Sequence, residues 1–233
     1  MTSEVPAGRS VCDTRTRSSA SLDAHARLGR MAVRAVVFDI GGVLEKVGAP
    51  VWAQRWRALL GMDSDQFQAA LAQVDPDGRI EIGTMSEDEY RHRYAQVLGL
   101  TEEQEADFLA DMWDWYCGEP DKQLIDYAAS LRPRFRTGIL SNSADGARRE
   151  EARRYGLPDL VDEIVYSHEV GLAKPDPRVY ALTCERLGVH PPEAVFVDDV
   201  PVCVEAANAC GLLGILHETA EATIARIGAL LPV

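Results

Sequence analysis

Four short stretches carry side chains whose chemistries fit together. Val36-Val37-Phe38-Asp39 runs directly into Ile40-Gly41-Gly42. An apolar, β-branched run therefore ends in a carboxylate, and glycines that let the backbone turn closely come next. Leu140 is followed by Ser141-Asn142, and Phe196-Val197 by Asp198-Asp199, while Lys174 sits in the loop Gly171-Leu172-Ala173-Lys174-Pro175-Asp176-Pro177. Taken singly, each has an ordinary structural role: Asp or Ser-Asn as a turn or helix cap, Lys as a solvated loop charge. The adjacent aspartates are hardest to explain that way, because like charges repel unless a cation holds them. Lys174 is also one of only three lysines in a chain that otherwise uses arginine, so a compact point charge has been kept there over a guanidinium fork.

Together these groups fit magnesium-dependent phosphoryl transfer. Asp39 serves as the nucleophile, forming an aspartyl-phosphate. Mg²⁺ is expected on Asp39, Asp198, Asp199 and a backbone carbonyl at Gly41, with waters completing its shell. Ser141, Asn142 and the backbone of Gly42 are expected to bind the phosphoryl oxygens. Lys174 neutralises charge on phosphate and carboxylate, and positioning plus neutralisation is most of what this chemistry needs.

The elements that must position these residues follow from the hydrophobic pattern. A first strand runs from Val33 to Asp39. Later strands are expected at Thr137–Leu140, Glu163–Tyr166, Ala194–Val197 and Leu213–Leu216, with helices between them. That alternation defines an α/β protein with a doubly wound parallel sheet, whose ligands sit beyond the carboxyl ends of the strands. Between residues 47 and 130 the periodicity is helical, and Ser86 with Glu89 and Thr101 with Gln104 read as capping boxes. The expected organisation is a tail at 1–30, a core of 31–46 and 131–233, and an inserted helical block at 47–130. The tail carries five arginines against three acids without apolar periodicity. It reads as a flexible segment or as an over-long start with Met31 the natural beginning, in preference to a transit-like segment.

Composition narrows the partners. A formal net charge of -13 argues against nucleic acid or an anionic membrane surface. No apolar run approaches the ~18 residues of a membrane span. Five cysteines without a C-x-x-C point to buried thiols and a reducing, cytoplasmic setting rather than a disulfide framework. A small phosphorylated metabolite is the expected partner, and the protein is expected to be a monomer or homodimer.

In order and with typical gaps, Phe38-Asp39-Ile40-Gly41-Gly42-Val43-Leu44, Leu140-Ser141-Asn142, Lys174-Pro175 and Phe196-Val197-Asp198-Asp199 resemble the four motifs of the haloacid dehalogenase (HAD) superfamily. Residues 47–130 resemble its helical cap. Glu81-x-Gly83-x-x-Ser86 and Lys174-Pro175-Asp176-Pro177-Arg178-Val179-Tyr180 are similar to the group containing bacterial α-D-glucose-1-phosphate phosphatase, near the phosphatase domain of soluble epoxide hydrolase. The resemblance spans about residues 33 to 218. It implies a Rossmann-like core, Mg²⁺, and hydrolysis through an aspartyl-phosphate.

Two departures stand out. Most phosphatases of the superfamily carry a general acid-base Asp where this chain has Gly41, a group worth ~10²–10⁴ in rate. Cys203 stands where the group often has Asn. Gly41 fits a leaving group that needs little protonation, such as a sugar 1-phosphate, or an acid supplied by Glu45 or a cap residue. It also fits a dehalogenase, although family dehalogenases lack the acidic pair and do not need magnesium. The remaining reading is a non-catalytic binding protein. Trp52, Arg55, Trp56, Arg79, Trp113 and Trp115 are the cap groups able to meet a sugar or phosphate, with core packing the ordinary role of the tryptophans. His168 and His217 read as packing or turn residues.

Overall fold

The computed structural model describes residues 32–46 and 48–232, so the expected tail at 1–30 lies outside the described residues. Strands β1 (Ala35–Phe38), β4 (Arg136–Ser141), β5 (Glu163–Tyr166), β6 (Ala194–Asp198) and β7 (Leu213–Leu216) form one parallel sheet in the order β5-β4-β1-β6-β7. β1 lies at its centre, and all four of its residues are buried. Alternate side chains enter opposite layers. Val36 and Phe38 pack with Ile139, Val195 and Val197 on one face, and Ala35 and Val37 with Leu140, Val165 and Phe196 on the other. A strand covered on both faces needs a continuous apolar run, which is why β1 and β6 are legible as such in the sequence.

Helices close both faces. Helix Pro177–Leu187 contributes Val179, Tyr180, Cys184 and Leu187 to the second layer. Helices Lys122–Ser130 and Ala220–Leu230 contribute Leu124, Ala128, Ala220 and Ile227 to the first. The doubly wound arrangement expected from the alternation is the one observed. Lys122–Ser130 falls within the range 47–130 expected for the cap, yet it packs in this layer beside Ala220–Leu230.

The helical insert rises from a two-stranded ribbon. β2 (Glu45–Lys46) pairs antiparallel with β3 (Glu119–Pro120), joining the chain that enters the insert to the chain that leaves it. Neither strand is evident in the sequence, because two residues are too few to show a period. Helices Val51–Leu60, Ser64–Ala72, Glu87–Leu98 and Glu102–Cys117 make up the insert. Trp56, Phe67, Leu98 and Phe108 give it a small core of its own. Thr101 and Gln104 form the expected capping box. At Ser86 only half of one forms: Ser86 accepts from the Glu89 backbone at 3.3 Å, while the Glu89 carboxylate turns to Arg79 and Arg93. Among the described residues no helix is long and apolar enough to cross a membrane.

Candidate active site

Sheet register brings the chemistry to one edge. Phe38 lies opposite both Ile139 and Val197, so Asp39, Ser141 and Asp198 emerge together at the carboxyl ends of the three central strands. Lys174 joins them from its loop. Its Nζ lies 2.8 Å from Asp39 Oδ1 and 2.7 Å from Asp198 Oδ2, with both partners buried. The loop is held by Asn142, whose Oδ1 accepts from Lys174 N at 2.7 Å and whose Nδ2 donates to Lys174 O at 2.9 Å. Asn142 was expected to meet the ligand. Its amide places Lys174 from both sides and keeps one amide hydrogen available to a ligand. Ser141 Oγ makes only a long contact, 3.4 Å to Asn142 O, so its hydroxyl remains available to a ligand.

Asp198 is oriented twice, by Lys174 and by Val200 N, which donates to its Oδ1 at 2.8 Å. Asp199 is the exposed member of the pair. Asp39, Asp198 and Asp199 each offer a carboxylate oxygen within 4.8 Å of the others. Three carboxylates against one ammonium leave an excess of negative charge that a divalent cation would offset, and hard oxygen donors suit Mg²⁺.

The electrostatics keep Asp39 ionisable. Burial raises the Asp39 carboxyl to about 6; Lys174 opposes that rise and Asp198 adds to it. At neutral pH Asp39 is therefore still a carboxylate. Burial works against the Lys174 ammonium, but Asp39 and Asp198 outweigh it and raise its pKa. Desolvation and the neighbouring Asp198 raise Asp199.

The site opens into a cavity of about 490 Å³. Asp39, Gly41, Ser141 and Lys174 form its core side; Glu81, Trp115 and Tyr116 reach it from the insert; Val200, Val202 and Cys203 complete the wall. A larger cavity of about 660 Å³ shares Trp115 but is lined by Trp52, Arg55 and Asp111, without any of the site groups. Of the cap groups named from sequence, Trp56 and Trp113 are buried and donate to Asp111 and Glu87. Arg55 pairs with Asp111, and Arg79 with Glu89. Trp115 alone of these six reaches the site. His168 and His217 meet Ser143 and Thr223 through Nδ1 at 2.8 Å and 2.9 Å.

The motif Glu81-x-Gly83-x-x-Ser86 now has a physical reading. Glu81 faces the cavity, Ser86 caps a helix, and Gly83 (φ +68°) docks where a Cβ would overlap the His168 carbonyl oxygen. Only glycine satisfies both conditions.

Two buried acids lie behind the site. Glu45 is 2% exposed, lines the cavity, and has no hydrogen-bond partner for Oε2 among the described residues. Burial, then the nearby Glu151 carboxyl, push it up to about 9. Glu151 is fully buried and accepts from Tyr166 Oη; burial raises it to about 8. Glu45 was a candidate from sequence, whereas Tyr116 and Glu151 were missed. The signal for Glu151 was its place four residues after Ala147, on the inward stripe of an otherwise charged helix.

Residues 33–211 match the haloacid dehalogenase-like hydrolase family. The chain belongs to that family of hydrolases. It is 28% identical over 175 residues to D-ribitol-5-phosphate phosphatase of Bacteroides thetaiotaomicron, covering 72% of this chain and 83% of that protein. It is likewise 28% identical over 187 residues to (S)-2-haloacid dehalogenase 1 of a Pseudomonas species, covering 77% and 74% of the two. Among solved structures, a HAD family enzyme from Bacteroides thetaiotaomicron in complex with magnesium and inorganic phosphate superposes with a TM-score of 0.68 at 21% identity. That similarity covers 80% of this chain and 94% of the other.

Proposed function

We propose that this hydrolase is a magnesium-dependent phosphatase acting on a small phosphate monoester, a sugar or polyol phosphate, through an aspartyl-phosphate on Asp39. One observation carries the reading: three carboxylates offer oxygens within 4.8 Å of one another, and one of them, Asp39, lines a cavity with a buried lysine and a free serine hydroxyl. The polyol phosphatase and the magnesium- and phosphate-bound enzyme among its relatives support it.

Asp39, Asp198, Asp199 and the Gly41 carbonyl would hold Mg²⁺, which when bound supplies positive charge beside the phosphoryl group. Lys174 holds Asp39 and Asp198 at a fixed separation and neutralises part of their charge. Ser141 Oγ, the spare Asn142 amide hydrogen and the Gly42 backbone orient the phosphoryl oxygens. Asp39 attacks phosphorus, and the ester oxygen departs with the bonding pair. Water then cleaves the acyl phosphate, releasing inorganic phosphate and restoring the carboxylate. Glu81, Trp115 and Tyr116, reaching in from the insert, act as a cap that selects the leaving group and limits water. Among the described residues Lys174 is the only cation lining the cavity, which favours an uncharged alcohol over one carrying a second anion. Four of the described cysteines are free thiols, three of them buried, which supports a cytoplasmic setting.

Gly41 and the Pseudomonas relative favour one other reading, halide displacement from a 2-haloacid. The carboxylate trio weighs against it, since departing halide needs neither a proton nor a cation. Parallel assays decide: phosphate release from sugar phosphates and p-nitrophenyl phosphate, and chloride release from 2-chloropropionate. The phosphatase reading requires the first. Chloride release without phosphate release would replace it.

A further inference from the structure

We propose that Glu45 is the proton-transfer carboxyl of this site, standing in for the acid that residue 41 lacks. The assignment rests on the phosphatase reading and adds to it a catalytic residue.

Space does not require the glycine at residue 41. A Cβ built there meets, apart from its chain neighbours, only Glu45 Oε1, at 3.9 Å, an ordinary contact, and the backbone is not in the left-handed region. A Cβ would be accommodated at residue 41, yet the region beside it already holds a carboxyl from elsewhere.

The chain is folded to put it there. The N–H groups of Val43, Leu44 and Glu45 all converge on Ile40 O at 2.8–3.0 Å, coiling the backbone so that Glu45 returns beside Gly41 as its bridge partner. The ribbon then fixes Glu45 opposite Pro120, and Lys46 pairs with Asp121 at 2.8 Å on the outer side. Adjacent residues thus face opposite ways, Lys46 to solvent and Glu45 to the cavity floor.

The Tyr155 hydroxyl faces the Glu45 carboxyl, yet Oε2 makes no hydrogen bond among the described residues. A buried carboxyl normally has its oxygens satisfied, and one left unpaired is a candidate for function. Glu45 Oε2 is unpaired while the residue lines the same cavity as Asp39 and Ser141.

The proton inventory closes. As Asp39 forms its bond to phosphorus, the P–O bond to the alcohol breaks, and Glu45 gives its proton to the departing oxygen. The Glu45 carboxylate then takes a proton from the attacking water. The new P–O bond forms, the bond to Asp39 breaks, and inorganic phosphate leaves with both groups restored.

Glu45→Gln, alone and combined with Gly41→Asp, tests this by rapid-quench kinetics. For Glu45→Gln, turnover of glucose 6-phosphate, whose primary alkoxide needs a proton to leave, falls by ~10²–10⁴. With p-nitrophenyl phosphate, whose phenolate leaves unprotonated, the first step survives and the second slows. A stoichiometric burst of nitrophenol appears, and a phosphoryl adduct accumulates on Asp39. Adding Gly41→Asp restores sugar-phosphate turnover at least tenfold. Wild-type turnover in Glu45→Gln would overturn the assignment and leave the phosphatase reading standing. So would loss of turnover in a normally melting variant that shows neither burst nor rescue. A wild-type enzyme releasing no phosphate would overturn both.

Discussion

Gly42 and Asp199 are fitted to one another: a Cβ on Gly42 would overlap Asp199 Oδ2 and lie 2.6 Å from its Cγ. The backbone at Gly42 is also left-handed, at φ +73°. Gly42 therefore meets both a conformational and a steric requirement, whereas Gly41 beside it meets neither. The turn after β1 and the outer carboxylate of the metal-binding candidates are set by the same residue.

Gly42→Ala tests that coupling. The substitution forces Asp199 aside and adds a left-handed penalty of ~1–2 kcal/mol. The magnesium concentration for half-maximal activity should rise about tenfold or more, roughly the cost of weakening one ligand or its support. A magnesium titration unchanged from wild type would show that Asp199 takes no part in holding the ion.

Lys174 is the second test. Lys174→Met leaves Asp39 and Asp198 buried without the ammonium that now lies 2.8 Å and 2.7 Å from them. A fall in kcat of ~10²–10³ is expected, comparable to removing one preorganised charge-stabilising donor. Lys174→Arg should not restore it, because a planar fork cannot take the place of a compact ammonium. Steady-state assays on p-nitrophenyl phosphate measure both.

The strand tips were legible because each reactive residue follows a run that must be buried on both faces, and such runs form central strands. The sequence alone therefore assigns Asp39, Ser141 and Asp198 to one edge. Position alone did not reveal how side chains divide the labour, and Asn142 clamps the Lys174 loop. Glu45 was harder to place, since its orientation depends on a two-residue ribbon paired with Glu119–Pro120 far along the chain. Glu151 was hidden among Arg149, Arg153 and Arg154, where a solvated face is the natural reading of charge. At Ser86 the pattern was right and the partner wrong, because Arg79 and Arg93 compete for Glu89.

The buried Glu151 carboxyl predicts a pH dependence of stability. Unfolded, it titrates near 4.5; folded, burial holds it near 8. Between those values the folded state keeps a proton that the unfolded state has lost, so stability is full below the window and falls as pH rises through it. Glu45 acts in the same direction. Melting temperature should therefore drop from about pH 5 to about pH 8, and Glu151→Gln should flatten that drop while still accepting from Tyr166. A steeper fall in the variant would contradict the assignment.

Glu81 predicts selectivity. It is the exposed carboxylate on the insert side of the cavity, so it opposes a second anion on the substrate. Glu81→Lys should raise kcat/KM for fructose 1,6-bisphosphate relative to glucose 1-phosphate by about tenfold, equivalent to ~1.4 kcal/mol. An unchanged ratio would remove Glu81 from the selection of substrate.

The central claim is that Asp39 carries out magnesium-dependent phosphoryl transfer. It is tested most directly by phosphate release from glucose 1-phosphate and p-nitrophenyl phosphate, with Mg²⁺ and with EDTA, in wild type and Asp39→Asn. Release that requires Mg²⁺ and disappears in Asp39→Asn is the predicted result. Release that persists in EDTA or in Asp39→Asn would contradict the account.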